Sequence, residues 1–299
     1  MSTAMFNDLE LSEGMTISMF RYYRDGQKKY TKVATKDGKS FYCSRSAESQ
    51  LYHLLGLSVR GLEEMSWEER NAVIAGKLAE RLSSKKPIIL RVINNHIWAV
   101  VTEVHVLLRH SEVWNVVEEA LTEKFGTYQK KKPMRTNEGL YTKYLLPKLW
   151  KSDKLFAGLI VYNSVKGLGS LRIGAYYEII ACSNGLISSE YKEIYSRTHR
   201  GNKDEILDSL RSGLDLFLNT FKPIDMSNID EHININEVVE GLDIAKKYKD
   251  AVLKSIFLDG SRFELASSLS SVAKSAPPNT SIQLEELSFK IINKEVFRK

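Results

Sequence analysis

The sequence predicts an α+β fold, with an antiparallel sheet built from hairpins and a helical C-terminal half. In residues 15–43, β-prone runs are separated by Asp25-Gly26 and Asp37-Gly38, and Asp-Gly between such runs is typical of hairpin turns. After Gly185, apolar residues recur at helical spacing in three long segments. These patterns divide the chain into an N-terminal β-meander with helices (1–86), a central α+β core with a basic segment (87–203) and a helical C-terminal region (204–299).

The N-terminal segment is expected to continue from the meander into two helices. The first covers 47–55 and ends at Gly56, because glycine accepts the left-handed conformation that ends many helices. The second covers 67–82, since Ser66 and Glu69 have the spacing of a capping box ahead of apolar residues at helical intervals.

The central and C-terminal segments have their own signals. Asn94-Asn95 separates two β-prone runs and predicts a second hairpin, and Ser111 is expected to cap a helix over 112–125. The run 155–163 is almost continuously apolar, which predicts a strand in the middle of a sheet. The remaining predictions are a short helical part in 141–150, a strand over 170–182, helices over 202–221, 235–257 and 261–276, and a late strand within 282–297.

Composition bounds the class of protein. The chain has 299 residues, 43% of them hydrophobic, a formal charge of +6 and a pI near 9.0. No run of about 18 apolar residues and no basic, apolar leader is present, so we expect an intracellular, cytoplasmic protein without a membrane partner. Cys43 and Cys182 are too few for a disulfide framework or a cysteine-based zinc site. Two buried thiols are expected, and a single bridge between them is the alternative.

The positive charge is regional. Residues 124–154 carry nine Lys and Arg against Glu138 and Asp153, whereas 204–259 carries twelve acids against six bases. The run KKKPMR (130–135) is interleaved with Tyr128, Tyr141, Tyr144 and Trp150, and cations with aromatic rings suit single-stranded nucleic acid. The alternative is a solvated loop with core aromatics. The candidate contacts here are Lys130, Lys131, Lys132, Arg135, Lys143, Lys148 and Lys151.

A glycine-punctuated turn follows the central strand. Gly167 and Gly169 permit a chain reversal, and Asn163 and Ser164 can bond to the turning backbone, which is a purely structural interpretation. The functional alternative is an exposed hairpin that offers donors to a phosphate or base. The turn matches neither GxxxxGK[ST] nor a GxGxxG that opens a helix, so nucleotide hydrolysis is not expected. The candidate contacts are Asn163, Ser164, Lys166 and Arg172, and the later RTHRG run adds Arg197 and Arg200.

Catalytic signals are weak, and no catalytic residue, metal site or cofactor is predicted. The acid pairs Glu63/Glu64, Glu68/Glu69 and Glu118/Glu119 are adjacent rather than three or four residues apart, so most of them are interpreted as solvated helix faces. Metal-dependent cleavage needs carboxylates that converge from separate segments. His105 and His110 do not have the i, i+4 spacing of a helical zinc pair, and no GxSxG motif occurs.

Several short motifs together resemble a known family. These motifs are Asn163-Ser164, GSL (169–171), CSNG (182–185) and RTHRG (197–201), with RVINNHIWAVVTE (91–103) upstream. They resemble a phage- and plasmid-encoded protein family of unknown function. The resemblance implies carriage on mobile elements and work near replication or recombination. In outline the order of elements is also similar to single-strand-annealing recombinases, which assemble into rings around a basic groove.

The sequence therefore predicts a homo-oligomeric protein, as a ring on the recombinase analogy, that binds single-stranded nucleic acid, DNA in preference, and promotes annealing, recombination or replication. Two alternatives stay open. One is a metal-dependent nuclease or other DNA-processing enzyme, and the other is a structural or partner-binding protein.

Overall fold

The computed structural model describes residues 7–11, 16–22, 28–34, 39–84, 87–136, 139–149, 151–152, 154–179, 184–187, 195–221, 229–256 and 260–293. Its hairpin-built, largely antiparallel sheets and helical C-terminal half confirm the predicted α+β class. The chain forms two compact units, 1–106 and 107–299. The predicted segments 1–86, 87–203 and 204–299 do not coincide with these units, since the hairpin at 88–102 pairs with N-terminal strands.

The first unit holds a sheet in the order β1-β5-β6-β4-β3-β2, antiparallel except between β4 and β6. The predicted Asp-Gly turns lie outside the described residues, but the flanking strands pair as expected. Asn94 and Asn95 form the predicted turn, with φ of 47° and 61°. The elements are β1 Asn7–Leu11, β2 Thr16–Tyr22, β3 Lys28–Ala34, β4 Ser40–Cys43, α1 Arg45–Leu54, α2 Val59–Glu63, α3 Trp67–Ser83, β5 Ile88–Ile93 and β6 His96–Thr102.

Two sequence predictions in this unit are confirmed at atomic detail. The Ser66 Oγ accepts from the Glu69 backbone N–H at 3.3 Å, and the Glu69 carboxylate accepts from the Ser66 N–H at 2.8 Å, so the capping box forms. Cys43 is buried in the core that α1 and α3 build against the sheet, and burial raises the pKa of its thiol. Cys182 lies outside the described residues.

The second unit is a second antiparallel sheet with helices. Its main strand order is β12-β11-β10-β9-β7, with β13 added on β11 and β8 on β9. The elements are α4 His110–Phe125, β7 Gln129–Lys130, β8 Met134–Arg135, β9 Leu140–Leu145, β10 Leu155–Asn163, β11 Leu171–Ile179, β12 Asn184–Ile187, β13 Tyr195–Arg197, α5 Lys203–Thr220, α6 Ile235–Gly241, α7 Lys246–Lys254, α8 Arg262–Ala273 and α9 Pro278–Ile292.

Four local predictions in this unit are wrong. The described part of the predicted helical segment, 141–149, is not helical, because 140–145 pairs with β10 as strand β9. Residues 278–292 form helix α9 rather than a strand, and their buried positions recur three and four apart. The predicted helix over 235–257 is two helices, since Gly241 ends α6 and Leu242 is extended. The cap of α4 is Arg109, so Ser111 lies inside the first turn.

The central strand β10 is buried along nearly its whole length, as its apolar run predicts. On one face of the sheet, Tyr141 and Lys143 of β9 lie in register with Tyr162 and Ile160 of β10. Ile282 of α9 packs on this face, within an apolar cluster that includes Tyr141 and Tyr162. This helix-covered face positions the site described next.

Candidate nucleic-acid interface

The basic segment follows the edge of the second sheet. Its short strands β7 and β8 both pair with β9, and the Lys131 N–H donates to the Lys143 carbonyl at 2.9 Å. Lys130 and Lys132 are exposed on either side of Lys131. Because successive side chains of an extended chain alternate, this pairing turns Lys131 and Lys143 to the same face.

A cleft of about 440 Å³ opens on that face. Its cationic lining comes from three places in the chain: the KKKPMR run (130–135), β9 and the end of α8. Four lysines surround two glutamates there, which leaves a formal charge of +2. The lining residues are Lys131, Lys132, Met134, Tyr141, Lys143, Tyr176, Glu178, Lys274, Ser281 and Glu285.

Two ion pairs lie among the residues that line the cleft. The Lys143 Nζ lies 2.5 Å from Glu285 Oε2, and the Lys131 Nζ lies 2.7 Å from Glu178 Oε2. The carboxylate side chains are only 9% and 7% exposed, so both acids are buried beneath the lysines. The Tyr176 hydroxyl donates to Glu178 at 3.3 Å, and the Lys143 Nζ lies 4.9 Å from the centroid of the same ring. The cleft floor is therefore a connected polar network.

Burial controls the protonation of this network. Desolvation raises the pKa of Glu285, the ammonium of Lys143 opposes that rise, and the nearby Glu178 and Glu286 carboxylates add to it. Burial also raises the pKa of Tyr176, and the charges of Glu285 and Glu178 act in the same direction. Tyr176 therefore stays protonated and acts as a hydrogen-bond donor in the cleft.

The secondary structure explains why these residues meet. Tyr176 and Glu178 are two residues apart on β11, and Ser281 and Glu285 are four apart on α9, so each pair lies on one face of its element. Gly158 of β10 lies between the neighbouring strands β9 and β11, and a Cβ there would overlap the Tyr144 carbonyl oxygen. The absence of a side chain at Gly158 permits this close approach.

Glu118 is an exception among the acid pairs that are mostly interpreted as solvated helix faces. Its Oε1 accepts from Lys130 Nζ at 2.5 Å and from the Tyr144 hydroxyl at 3.1 Å, and its Oε2 lies 3.4 Å from the Tyr128 hydroxyl. Burial, with the charge of Glu118 next, raises the pKa of Tyr144. Glu118 thus anchors the basic edge strand to α4, and it neutralises one of the predicted contact lysines.

The aromatic residues expected to stack bases are mostly buried. Tyr144 is 0% exposed and Tyr141 is 7% exposed, with the Tyr141 ring centroid 4.5 Å from that of Tyr162. Tyr128 is partly buried against Tyr144, and Trp150 lies outside the described residues. These rings support the core, as the alternative interpretation of the segment held.

Other candidate cations lie outside the cleft. The Lys148 Nζ donates to the Phe125 carbonyl at 2.6 Å, and the Lys151 Nζ lies 5.2 Å from the Phe156 ring centroid. Arg197 lies 3.9 Å from Glu205, and Arg200 is exposed.

A smaller basic group lies at the β10–β11 turn. Arg135 is exposed, and its charge, after burial, lowers the pKa of the half-buried Lys166. The Arg172 guanidinium lies 4.4 Å from the Tyr162 ring centroid. The turn glycine Gly169 packs on that same ring, since a Cβ there would lie 2.7 Å from the Tyr162 hydroxyl oxygen.

The functional interpretation of Asn163 and Ser164 as exposed contacts does not agree with their burial, at 0% and 1% exposed. The Asn163 Nδ2 donates to the Leu108 carbonyl and to His110 Nδ1, each at 3.1 Å, and its Oδ1 accepts from His199 Nε2 at 2.9 Å. Asn163 therefore ties α4 and the RTHRG run to the sheet. Both residues are structural in this conformation.

Sequence reasoning missed Tyr176, Glu178, Lys274 and Glu285. Glu178 had a usable signal, because it is the one acid in the apolar run of β11. Glu285 had none, since its helix was predicted as a strand.

The fold and this cleft define an α+β protein in which four lysines surround two buried carboxylates. Comparison with protein families, curated proteins and solved structures finds no match to the chain. The resemblance to the phage- and plasmid-encoded family thus stays a prediction. Within the described part of the chain, no helix is long and apolar enough to cross a membrane, and no three His, Cys, Asp or Glu side chains are grouped as metal ligands.

Proposed function

We propose that this protein binds single-stranded nucleic acid, with the cleft as the centre of its phosphate contacts. The observation that carries the proposal is the convergence of Lys131, Lys132 and Lys143 of the basic segment with Lys274 around one cleft. Lysines gathered in this way attract phosphate and release the counterions condensed on it.

The charges available for binding are fewer than the sequence suggests. Lys130, Lys131 and Lys143 each have a carboxylate partner within 3 Å. Lys132 and Arg135 are exposed, and neither has an ion pair with any residue that the structure describes. We therefore assign the strongest phosphate contact in the cleft to Lys132, and a further contact outside the cleft lining to Arg135. Because the nearby tyrosines are buried, the affinity depends on charge more than on base stacking.

The wider role follows the motif resemblance and is part of the same proposal. The protein acts on DNA of a mobile element as a homo-oligomer and holds single strands for annealing, recombination or replication. A light-scattering mass measurement with and without an oligonucleotide tests the oligomer. A single-subunit mass under both conditions contradicts it.

The binding test is a fluorescence-anisotropy titration of a labelled oligothymidylate across salt concentrations. The logarithm of the binding constant is expected to fall linearly with the logarithm of salt concentration, with a slope of about −0.7 per phosphate contact. Lys132→Glu is expected to weaken binding about tenfold or more and to make the slope shallower.

The matched control is Lys246→Glu, which makes the same charge change at an exposed residue of α7 in the acidic region. It is expected to leave affinity nearly unchanged. Binding that is absent, independent of salt or weakened equally by both variants contradicts the proposal.

A metal-dependent nuclease is the second candidate, because Glu178 and Glu285 converge from β11 and α9 as such chemistry requires. Incubation of labelled strands with Mg²⁺ or Mn²⁺ tests it. Cleavage that Glu178→Gln abolishes supports an enzyme, and intact strands with both metals contradict it.

A further inference from the structure

The volume and the formal charge of the cleft indicate which kind of phosphate group it can bind. At about 440 Å³ it is in the lower part of the range for ligand pockets, about 300–1,000 Å³, which accommodates one nucleotide-sized unit rather than a run of several. Its formal charge of +2 comes from four lysines and two glutamates. A phosphomonoester carries about −1.5 to −2 at neutral pH, whereas an internal phosphodiester carries a single negative charge.

The buried carboxylates of Glu178 and Glu285 hold Lys131 and Lys143 in place for phosphate binding. The side chains of Lys143 and Lys131 are 14% and 27% exposed, and each is held by a glutamate from another element. An ammonium has three donors, so an ammonium bonded to a carboxylate oxygen keeps donors for a further acceptor. Lys132 and Lys274 line the same cleft and are exposed. Fixed and exposed ammonium groups thus line one small volume.

The two ion pairs are hard to explain by stability alone. Buried ion pairs often contribute no more stability than apolar side chains of the same volume. Titratable groups with perturbed protonation in a cleft are also enriched at functional sites. These considerations favour a ligand role for the network.

We propose that the cleft is a phosphomonoester site, which takes the terminal phosphate of a nucleotide or of a 5′-phosphorylated strand. Where the phosphate comes from a strand, the proposal rests on the proposed function. The other source of the phosphate is a free nucleotide. Lys131 and Lys143 contact the phosphate from the cleft floor, and Lys132 and Lys274 contact it from the rim. Glu178 and Glu285 are positioning residues.

The test is isothermal titration calorimetry of the full chain with four probes: adenosine 5′-monophosphate, adenosine, and one trinucleotide with and without a 5′-phosphate. The phosphorylated probes are expected to bind at least about tenfold more tightly than their unphosphorylated partners. Lys274→Met is expected to remove most of that difference. Lys246→Met, at an exposed lysine away from the cleft lining, is the matched control and is expected to preserve it.

Glu285→Gln is a second variant, and it tests the positioning role of this glutamate. It keeps the shape of the side chain but weakens its hold on the Lys143 ammonium, so the phosphorylated probes are expected to bind several-fold more weakly while the unphosphorylated probes change little. Equal affinity for phosphorylated and unphosphorylated probes overturns the phosphomonoester site, whether or not oligothymidylate binds. If the monophosphate binds but oligothymidylate does not, the site stands and the proposed function fails.

Discussion

The Lys143 Nζ lies 2.5 Å from Glu285 Oε2, although the two residues are 142 positions apart in the chain. The pair joins β9 of the sheet to α9, near the C-terminal end of the described residues, with both side chains largely buried. An ion pair in this setting ties the helix to the sheet, and removal of one partner leaves a buried charge uncompensated.

We expect Lys143→Met to lower the free energy of unfolding at pH 7 by about 3–5 kcal/mol, because the Glu285 carboxylate would then be buried without its ammonium. Urea unfolding followed by circular dichroism measures this loss. The loss is expected to shrink at acidic pH, since protonation neutralises Glu285, whose pKa is already raised by burial.

The exposed pair Lys77–Glu80 of α3 is the control, with side chains 47% and 70% exposed and an Nζ–Oε2 distance of 2.8 Å. Lys77→Met is expected to cost less than about 1 kcal/mol, because solvent screens an exposed pair. Similar losses at both sites would show that the buried pair has no special role in stability.

Substitution of Asn163 is expected to lower the stability of the protein more than substitution of any surface candidate. Asn163→Ala removes hydrogen bonds to the Leu108 carbonyl, His110 and His199 at a site that is 0% exposed. At about 1–3 kcal/mol for each buried group left without its partner, the total loss is at least about 3 kcal/mol. Thermal and urea unfolding measure it. Retention of full stability would contradict the buried network and favour an exposed Asn163.

The protonation of His110 links this network to pH. The Leu108 carbonyl can only accept, so the Asn163 amide nitrogen points toward it and also donates to His110 Nδ1, which therefore carries no proton. Burial, then the charges of Arg135 and His199, lowers the pKa of His110 from 6.5 to about 4.

A pH series of unfolding measurements checks this assignment. Between pH 6.5 and 4 the unfolded chain binds a proton at His110 that the folded chain does not, so stability present above pH 6.5 is lost as pH falls. At about 1.36 kcal/mol per pKa unit, the loss is on the order of 3 kcal/mol. His110→Gln is expected to reduce the pH dependence in this window by that amount. An unchanged pH profile in the variant would contradict a depressed His110 pKa.

Local signals account for what the sequence predicts well. The Ser66 capping box, the Asn94-Asn95 turn and the buried run of β10 each depend on residues within a few positions of one another. Such patterns constrain backbone conformation directly. The α+β class follows from them.

The site depends on long-range pairing that no local pattern contains. Lys131 was a predicted contact, but its partner Glu178 is 47 positions away, and the sequence does not show that the two meet. The aromatic residues of the basic segment were ambiguous, because burial of Tyr141 and Tyr144 follows only once β9 pairs with β10. The sequence therefore identifies candidate lysines more readily than it shows which of them are available to bind a ligand.

The final prediction compares two glycines, one in close contact with a neighbouring strand and one in open space. A Cβ at Gly158 would overlap the Tyr144 carbonyl oxygen, so Gly158→Ala requires β9 and β10 to move apart, at a cost of about 1–3 kcal/mol. Gly76 is exposed in α3 with nothing within 4 Å of its Cβ position, and Gly76→Ala is expected to stabilise the protein by about 0.5–1 kcal/mol. Urea unfolding of both variants measures the opposite signs. A neutral or stabilising Gly158→Ala would refute the close approach of β10 to β9, the strand that carries Lys143.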